Sequence, residues 1–178
     1  MSKIQIHTSD MERAAKELKA GDEVLLSGIV YTARDAAHKR ICAMLDRGEE
    51  PPFPLSGATV YYAGPTPAPQ GMPIGSCGPT TSARMDVYTP RLLDLGLKGM
   101  IGKGNRSRAV TEAIRRDGAV YFCAVGGAGA LAARCVRAAE VLAFGELGCE
   151  SVKKLTVKDF PLFVAIDCRG GSLFGESL

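Results

Sequence analysis

Alternating β-rich and helix-favouring segments, with β-rich stretches at both ends, predict a single α/β domain over residues 1–178 built on a mixed sheet. The one fully apolar run, Ala119–Val125, is of the kind buried on both faces of a sheet. A clean doubly wound fold is not expected, because no regular strand–helix repeat spans the whole chain. At 178 residues the chain is long enough to bury roughly 70% of its unfolded surface and to fold as one unit.

Lys3–His7 reads as a short strand, Thr8-Ser9-Asp10 as a helix cap, and Met11–Leu18 as a helix with apolar residues three and four apart. Lys19–Asp22 ends that helix, and Glu23–Tyr31 is β-rich. From Thr32 the Ala and charged content favours a helix to about Gly48, so a strand delivers Arg34 to a helix N-terminus. Pro51–Pro54 is a rigid linker, Ala58–Tyr62 a strand, and Gly64–Gly78 a loop too rich in Pro and Gly for regular structure. A helix is expected from about Thr81 to Leu95, then a short buried strand from Gly99 that ends in the glycine-flanked Lys103. Ser107–Asp117 reads as a helix, Ala119–Val125 as a strand, and Gly126-Gly127-Ala128-Gly129 as a turn into a helix from about Ala130 to Ala138. Val157–Asp167 is strand-like, and the Gly-rich end is expected to be a mobile tail.

Composition removes several classes of function. No apolar run approaches the roughly 18 residues of a membrane span, and the N-terminus lacks the apolar core and cleavage site of an export signal. The expectation is a soluble protein of the cytoplasm that does not engage membranes. A net charge of +3 with 6% aromatics and no Trp gives little for nucleic acid to bind; the basic residues are scattered except around Lys103–Arg108. The six cysteines (Cys42, Cys77, Cys123, Cys135, Cys149 and Cys168) include no Cys-x-x-Cys pair, which argues against a zinc knuckle or a self-contained iron–sulfur site. Cys77, in the loop before the main motif, is the thiol expected to be exposed, with a structural or incidental role.

That motif is Gly78-Pro79-Thr80-Thr81-Ser82-Ala83-Arg84-Met85-Asp86. Three hydroxyl residues and an arginine at an expected helix start suit a carboxylate or phosphate, since helix N-termini expose unpaired N–H groups and partial positive charge. The plainer reading makes Thr80 or Thr81 only an N-cap. Arg34, Thr80, Arg84 and Lys103 each sit where a strand or loop meets a helix, the edge at which α/β sheets bind ligands. If they converge, two arginines and a lysine suit a small dicarboxylate; otherwise they are unrelated surface cations. Gly126–Gly129 lacks the Gly-x-Gly-x-x-Gly spacing of a dinucleotide site, and Glu146 or Glu150 supplies the required acid only loosely, so close helix–strand packing explains those glycines better. Neither His7 nor His38 has a visible catalytic partner; His38, one turn beyond Arg34, either props that arginine or simply lies on the helix surface, the second being the plainer reading.

The segments Gly28–Arg40, Tyr62-Ala63-Gly64-Pro65, Gly78–Asp86 and Gly102-Lys103-Gly104 together resemble the beta subunits of the iron–sulfur-dependent class I fumarate hydratase and L(+)-tartrate dehydratase family. The likeness runs through Gly126-Gly127-Ala128 to Phe160–Asp167, essentially the whole chain. It implies a swivelling β/β/α domain and an active site shared with an alpha subunit, whose cysteines would hold a [4Fe-4S] cluster while this chain supplies no metal ligand. It further implies Thr80 as catalytic base, Arg34, Arg84 and Lys103 as carboxylate holders, and supporting or structural roles for Asp35, His38, Thr81 and Asp86. A dimer of alpha–beta pairs is the implied assembly.

An unassisted threonine hydroxyl is a poor acceptor for a carbon-bound proton. Two arginines, a lysine and a helix N-terminus would all favour an alkoxide-like Thr80, and a carboxylate of the alpha subunit could relay its proton. The expected reaction is the reversible hydration of fumarate to (S)-malate by a hydro-lyase active only with its alpha subunit. Dehydration of L(+)-tartrate to oxaloacetate is the main rival, since the two substrates differ by one hydroxyl. A stand-alone dicarboxylate-binding module is the alternative outside enzymology, and a purely structural interaction domain comes last.

Overall fold

Strict alternation of buried and open side chains along Glu23–Thr32 marks that segment, β2, as a central strand with both faces in use. The computed structural model describes residues 3–125, 127 and 129–175. Before β2 come β1 (Ile4–His7), a 3-10 turn at Thr8–Asp10 and α1 (Met11–Glu17). After it come α2 (Asp35–Asp46), β3 (Thr59–Tyr61), α3 (Thr89–Asp94), β4 (Gly99–Gly102) and α4 (Arg108–Asp117). The chain continues with β5 (Val120–Cys123), α5 (Gly129–Cys135), β6 (Val136–Ala143), a 3-10 segment at Gly145–Glu150 and β7 (Val152–Ile166).

The sheet is mixed, as expected: β1, β2, β3, β4 and β5 run parallel in that order, and β7 lies antiparallel to β2, β5 and β6. The register of β2 against β7 skips Lys158 and Asp159, where Asp159 takes a positive φ of 52° and its N–H bonds the Ser27 hydroxyl at 3.0 Å. This bulge bends β7, so that its first half pairs with β6 and its second half with β5. Hydrogen-bonded pairing thus runs in a closed circuit, β2–β3–β4–β5–β7–β2, with β1 and β6 attached outside it.

Each side of the sheet carries its own core. One gathers Met11 and Ala15 of α1, Ala132 and Ala133 of α5, and Val24, Leu26, Phe122 and Leu162 of the strands. The other gathers Ala37 and Ile41 of α2, Leu92 and Leu93 of α3, and Val110 and Ile114 of α4 against Val60, Met100 and Tyr121. Val125 and Leu131 remain exposed beside Pro161. No helix among the described residues is long and apolar enough to cross a membrane.

Four expectations change. The helix from Thr81 to Leu95 is instead a 3-10 turn at Ser82–Met85, further turns, and then α3. Pro90 explains the break: it stands in the first turn of α3, where its missing N–H is tolerated, but it would clash with the carbonyl four residues back in a continuous helix. The helix expected to Ala138 ends at Cys135, because Val136 onward pairs with β7 as β6, and β7 itself starts at Val152, not Val157. The Gly-rich end is held as far as Leu173: Asp167 accepts from the N–H groups of Ala20, Arg169 and Gly171, and Leu173 N–H bonds Ala165 O at 2.9 Å. Of the Gly126–Gly129 turn, residues 126 and 128 lie outside the described residues.

Candidate functional site

The carboxyl ends of the parallel strands are joined into one ledge. Ala33 N–H bonds Tyr61 O at 3.2 Å, Tyr62 N–H bonds Ile101 O at 2.8 Å, and Ala124 N–H bonds Gly102 O at 2.9 Å. The Pro79–Ser82 segment lies across this ledge. Thr80 N–H bonds Tyr62 O at 2.7 Å, Ser82 N–H bonds Lys103 O at 2.9 Å, and Lys103 N–H returns to Ser82 Oγ at 3.1 Å. Thr80 is thereby fixed beside the end of β3 and Thr81 is bridged to Lys103 at the end of β4. Such close passage needs Gly102, since a methyl there would lie 1.9 Å from Ser82 Oγ and 2.8 Å from the Tyr62 ring. Tyr121 closes the arrangement. Its hydroxyl lies 2.8 Å from both Gly104 O and Ser82 Oγ; the carbonyl can only accept, so Tyr121 donates to it and Ser82 donates to Tyr121.

Arg34 is the N-cap residue of α2, as its position after a strand predicts. Its guanidinium lies over Gly64, where a methyl would sit 2.6 Å from Nη1. Glu150 Oε1 faces Arg34 Nε at 3.9 Å, an ion pair too long for a hydrogen bond, and both atoms are buried without another partner. Arg84 Nε bonds Asp35 Oδ1 at 2.9 Å, and Nη2 stands 2.8 Å from Oδ2 as an ion-pair contact, with Oδ2 itself buried and accepting no hydrogen bond. Lys103 is exposed and has no ion-pair partner among the described residues. Contacts gather the four residues singled out in the sequence into two groups: Arg84 on Asp35, the chain neighbour of Arg34, and Thr80 through Thr81 to Lys103. Around them stand three cations and two carboxylates, Asp35 and Glu150, an excess of positive charge.

The helix-terminus argument for this motif does not survive in its original form. Thr81 holds the cap position of a 3-10 turn and makes no capping bond, so neither the α-helix N-terminus nor the simple N-cap describes the hydroxyls. Backbone pairing to Tyr62 and Lys103 positions them instead.

His38 is fully buried and does not lie on the helix surface. Its Nδ1–H donates to the Arg34 carbonyl at 2.8 Å, the ring packs between Tyr62 and Tyr88, and Nε2 is left without a partner. Burial pushes the imidazole down to about 4, with the bond to Arg34 O opposing and the nearby Arg106 charge adding to the depression. The ring is neutral at physiological pH. Cys77 is likewise buried, not exposed: its N–H bonds Gly129 O, its carbonyl accepts the Tyr61 hydroxyl, and burial pushes the thiol up to about 12. Among the described residues no group of three or more His, Cys, Asp or Glu side chains is gathered so as to hold a metal ion.

Sequence reasoning missed Arg106 altogether. It sits in the loop after Lys103, yet its side chain is 0% exposed. Nε bonds Asp86 Oδ1 at 2.7 Å, Nη2 bonds Thr89 Oγ1 at 2.9 Å and Tyr62 Oη at 3.3 Å, and the group stacks over the Tyr62 and Tyr121 rings. Asp86, expected to support the site, is thus the partner of a buried arginine, and its Oδ2 also accepts Ser107 N–H at 2.5 Å. No local pattern announces this pair, because its members are 20 residues apart in the chain.

The chain is 40% identical over 160 residues to fumarate hydratase 2 of Leishmania major, covering 89% of this chain and 28% of that protein. It is 38% identical to the anaerobic class I fumarate hydratase of Escherichia coli K12, covering 94% of this chain and 32% of the relative. It is also 39% identical to a protein provisionally named L(+)-tartrate dehydratase subunit beta in Methanocaldococcus jannaschii, and here the match takes in 93% of this chain and 88% of the relative. The chain thus spans about a third of the fumarate hydratases and most of the smaller protein. The sequence model of the fumarase C-terminus family matches residues 1–177, and the chain belongs to that family.

Proposed function

We propose that this chain is the beta-type portion of a class I hydro-lyase that interconverts fumarate and (S)-malate, acting with an alpha portion it does not itself contain. The observation that carries this reading is the Pro79–Ser82 segment laid across the strand ends, which holds Thr80 to Tyr62 and Thr81 to Lys103, with Arg34 over Gly64 and Arg84 paired with Asp35. In this reading the cations hold the two substrate carboxylates. Thr80 takes the proton from the carbon next to one carboxylate, and the same cations stabilise the dianionic form of that carboxylate which deprotonation creates. Glu150 and Asp35 hold Arg34 and Arg84 in place before the substrate arrives, and the substrate's carboxylates replace part of those ion pairs. Thr81 and Asp86 support the turn. His38 fixes the Arg34 backbone.

This chain's thiols do not fit cluster ligation. Cys77 is buried and protonated, and no second cysteine is gathered near it into a metal-holding group among the described residues. In this reading the [4Fe-4S] cluster that the resemblance implies is held by the alpha portion, where it would supply Lewis acidity toward the departing hydroxyl. A dimer of alpha–beta pairs in the cytoplasm is the assembly we propose. The name of the Methanocaldococcus relative makes L(+)-tartrate the second candidate substrate.

The test is an anaerobic assay of the chain, alone and co-expressed with an iron–sulfur alpha portion of the same family, following fumarate from malate and oxaloacetate from tartrate. Activity only with the partner is expected, and the preferred acid names the enzyme. In that complex Thr80→Ala should leave assembly intact and lower turnover at least about a hundredfold. Turnover near that of the unsubstituted complex would remove Thr80 from the mechanism. Micromolar dicarboxylate binding by the isolated chain, without catalysis in the complex, would replace the enzyme with a binding module.

A further inference from the structure

We infer that Arg106 is the positioning residue that sets the spacing of the site's hydroxyl and cations, an inference that rests on the reading of the ledge as a dicarboxylate site. Its partners are informative because each is one short step from a residue of that site. Asp86 lies two residues beyond Arg84 on the same turn. Tyr62 carries the carbonyl that binds Thr80 N–H. Arg106 itself lies three residues beyond Lys103, and Ser107 N–H bonds the second oxygen of Asp86. One guanidinium thus connects the end of β3, the turn that bears Arg84, the start of α3 through Thr89, and the loop that bears Lys103.

Stability alone is a poor reason for such a group. Removing a guanidinium and a carboxylate from water is costly, and well-packed apolar side chains of similar volume often serve a core as well or better. A rigid fork with several fixed acceptors does what apolar packing cannot: it sets distances and angles among the segments it joins. The segments joined here have no direct backbone ladder between Asp86 and the Tyr62 strand end; Arg106 spans them. A shift of about 1 Å in such a constellation is enough to cost on the order of a hundredfold in rate.

The experiment uses the chain assembled with its cluster-bearing partner and three variants: Arg106→Lys, Arg106→Met, and Arg106→Met combined with Asp86→Leu, which removes both charges at once. Melting temperature, kcat and KM per folded complex, and the dissociation constant for succinate as an unreactive dicarboxylate are measured for each. The uncharged pair is expected to melt within about 5 °C of the unsubstituted complex, yet to show kcat lowered about 30-fold and succinate affinity lowered about tenfold. Arg106→Lys, which keeps the charge without the fork, is expected to recover less than about a tenth of the lost rate. Full kcat and full succinate affinity in the folded uncharged pair would overturn the proposal, for the arginine would then be only a core element. Should that pair fail to fold, Arg106→Lys decides, and unaltered kinetics in it are equally fatal. If the unsubstituted complex turns over neither malate nor tartrate, the enzymatic reading fails separately, and the positioning claim stands or falls on the succinate constants alone.

Discussion

Two arginine–aspartate pairs bracket the Ser82–Met85 turn, and they differ in nearly everything but chemistry. Arg84 and Asp35 form an ion pair with one hydrogen bond, and their side chains are 52% and 33% exposed. Arg106 and Asp86 form a pair whose side chains are 0% and 10% exposed. In the first, water covers much of both partners, so one carboxylate can replace another on the guanidinium at little cost. In the second, every change of partner must leave a charge stranded in a low-dielectric interior. Burial, not residue type, thus separates an arginine available to a ligand from one that holds the frame.

The largest effect should come from breaking the buried pair on one side only. Asp86→Ala leaves Arg106 without its counter-charge and Ser107 N–H without its acceptor, and is expected to cost about 3–5 kcal/mol of unfolding free energy in urea titrations. Asp35→Ala, measured in the same way, should cost less than about 1 kcal/mol. Similar losses at the two sites would end the distinction.

The same contrast explains what could be read from the sequence. The places of Arg34 at the start of α2 and of Lys103 just after β4 follow from local pattern, as does the α/β class from the order of apolar segments, whereas Arg84 stands in a 3-10 turn and not at the expected helix start. Arg106 and the burial of His38 were not visible, since both depend on partners brought from 20 or more residues away. β6 escaped for another reason: three alanines, an arginine and a glutamate give Val136–Ala143 a helix-favouring composition, and only Val136 of it is buried in the sheet. The break before α3 was readable in principle from Pro90. Cys77 shows the opposite failure, a Gly/Pro-rich neighbourhood that suggests a surface loop, while the loop buries its thiol and its N–H bonds Gly129 O.

His38 sharpens the comparison from the side of Arg34. In the folded chain its ring is held neutral down to about 4, against an ordinary value of 6.5, so below pH 6.5 the unfolded chain binds the proton and the folded chain does not. Stability contributed by the neutral ring is therefore complete above pH 6.5 and falls as pH drops toward 4, by roughly 3 kcal/mol in all. Urea titrations of the chain and of a His38→Gln variant between pH 7 and 4.5 should show that slope weakened in the variant. An unchanged slope would assign the acid sensitivity to other groups, and the buried-neutral account of His38 would fail.

The smallest effect on stability is expected at the exposed pair, and it carries the functional side of the comparison. Arg84→Lys keeps the charge but loses the fork, so one of two charge-assisted hydrogen bonds to a carboxylate disappears. Unfolding free energy should change by less than about 1 kcal/mol, because water already screens the pair. In the complex with the alpha portion, KM for malate should nevertheless rise about tenfold, the factor corresponding to loss of roughly 1.5 kcal/mol of charge-assisted bonding. A stability loss above about 2 kcal/mol with KM unaltered would make Arg84 a second frame arginine. The carboxylate-holding role would then pass to Arg34 and Lys103 alone.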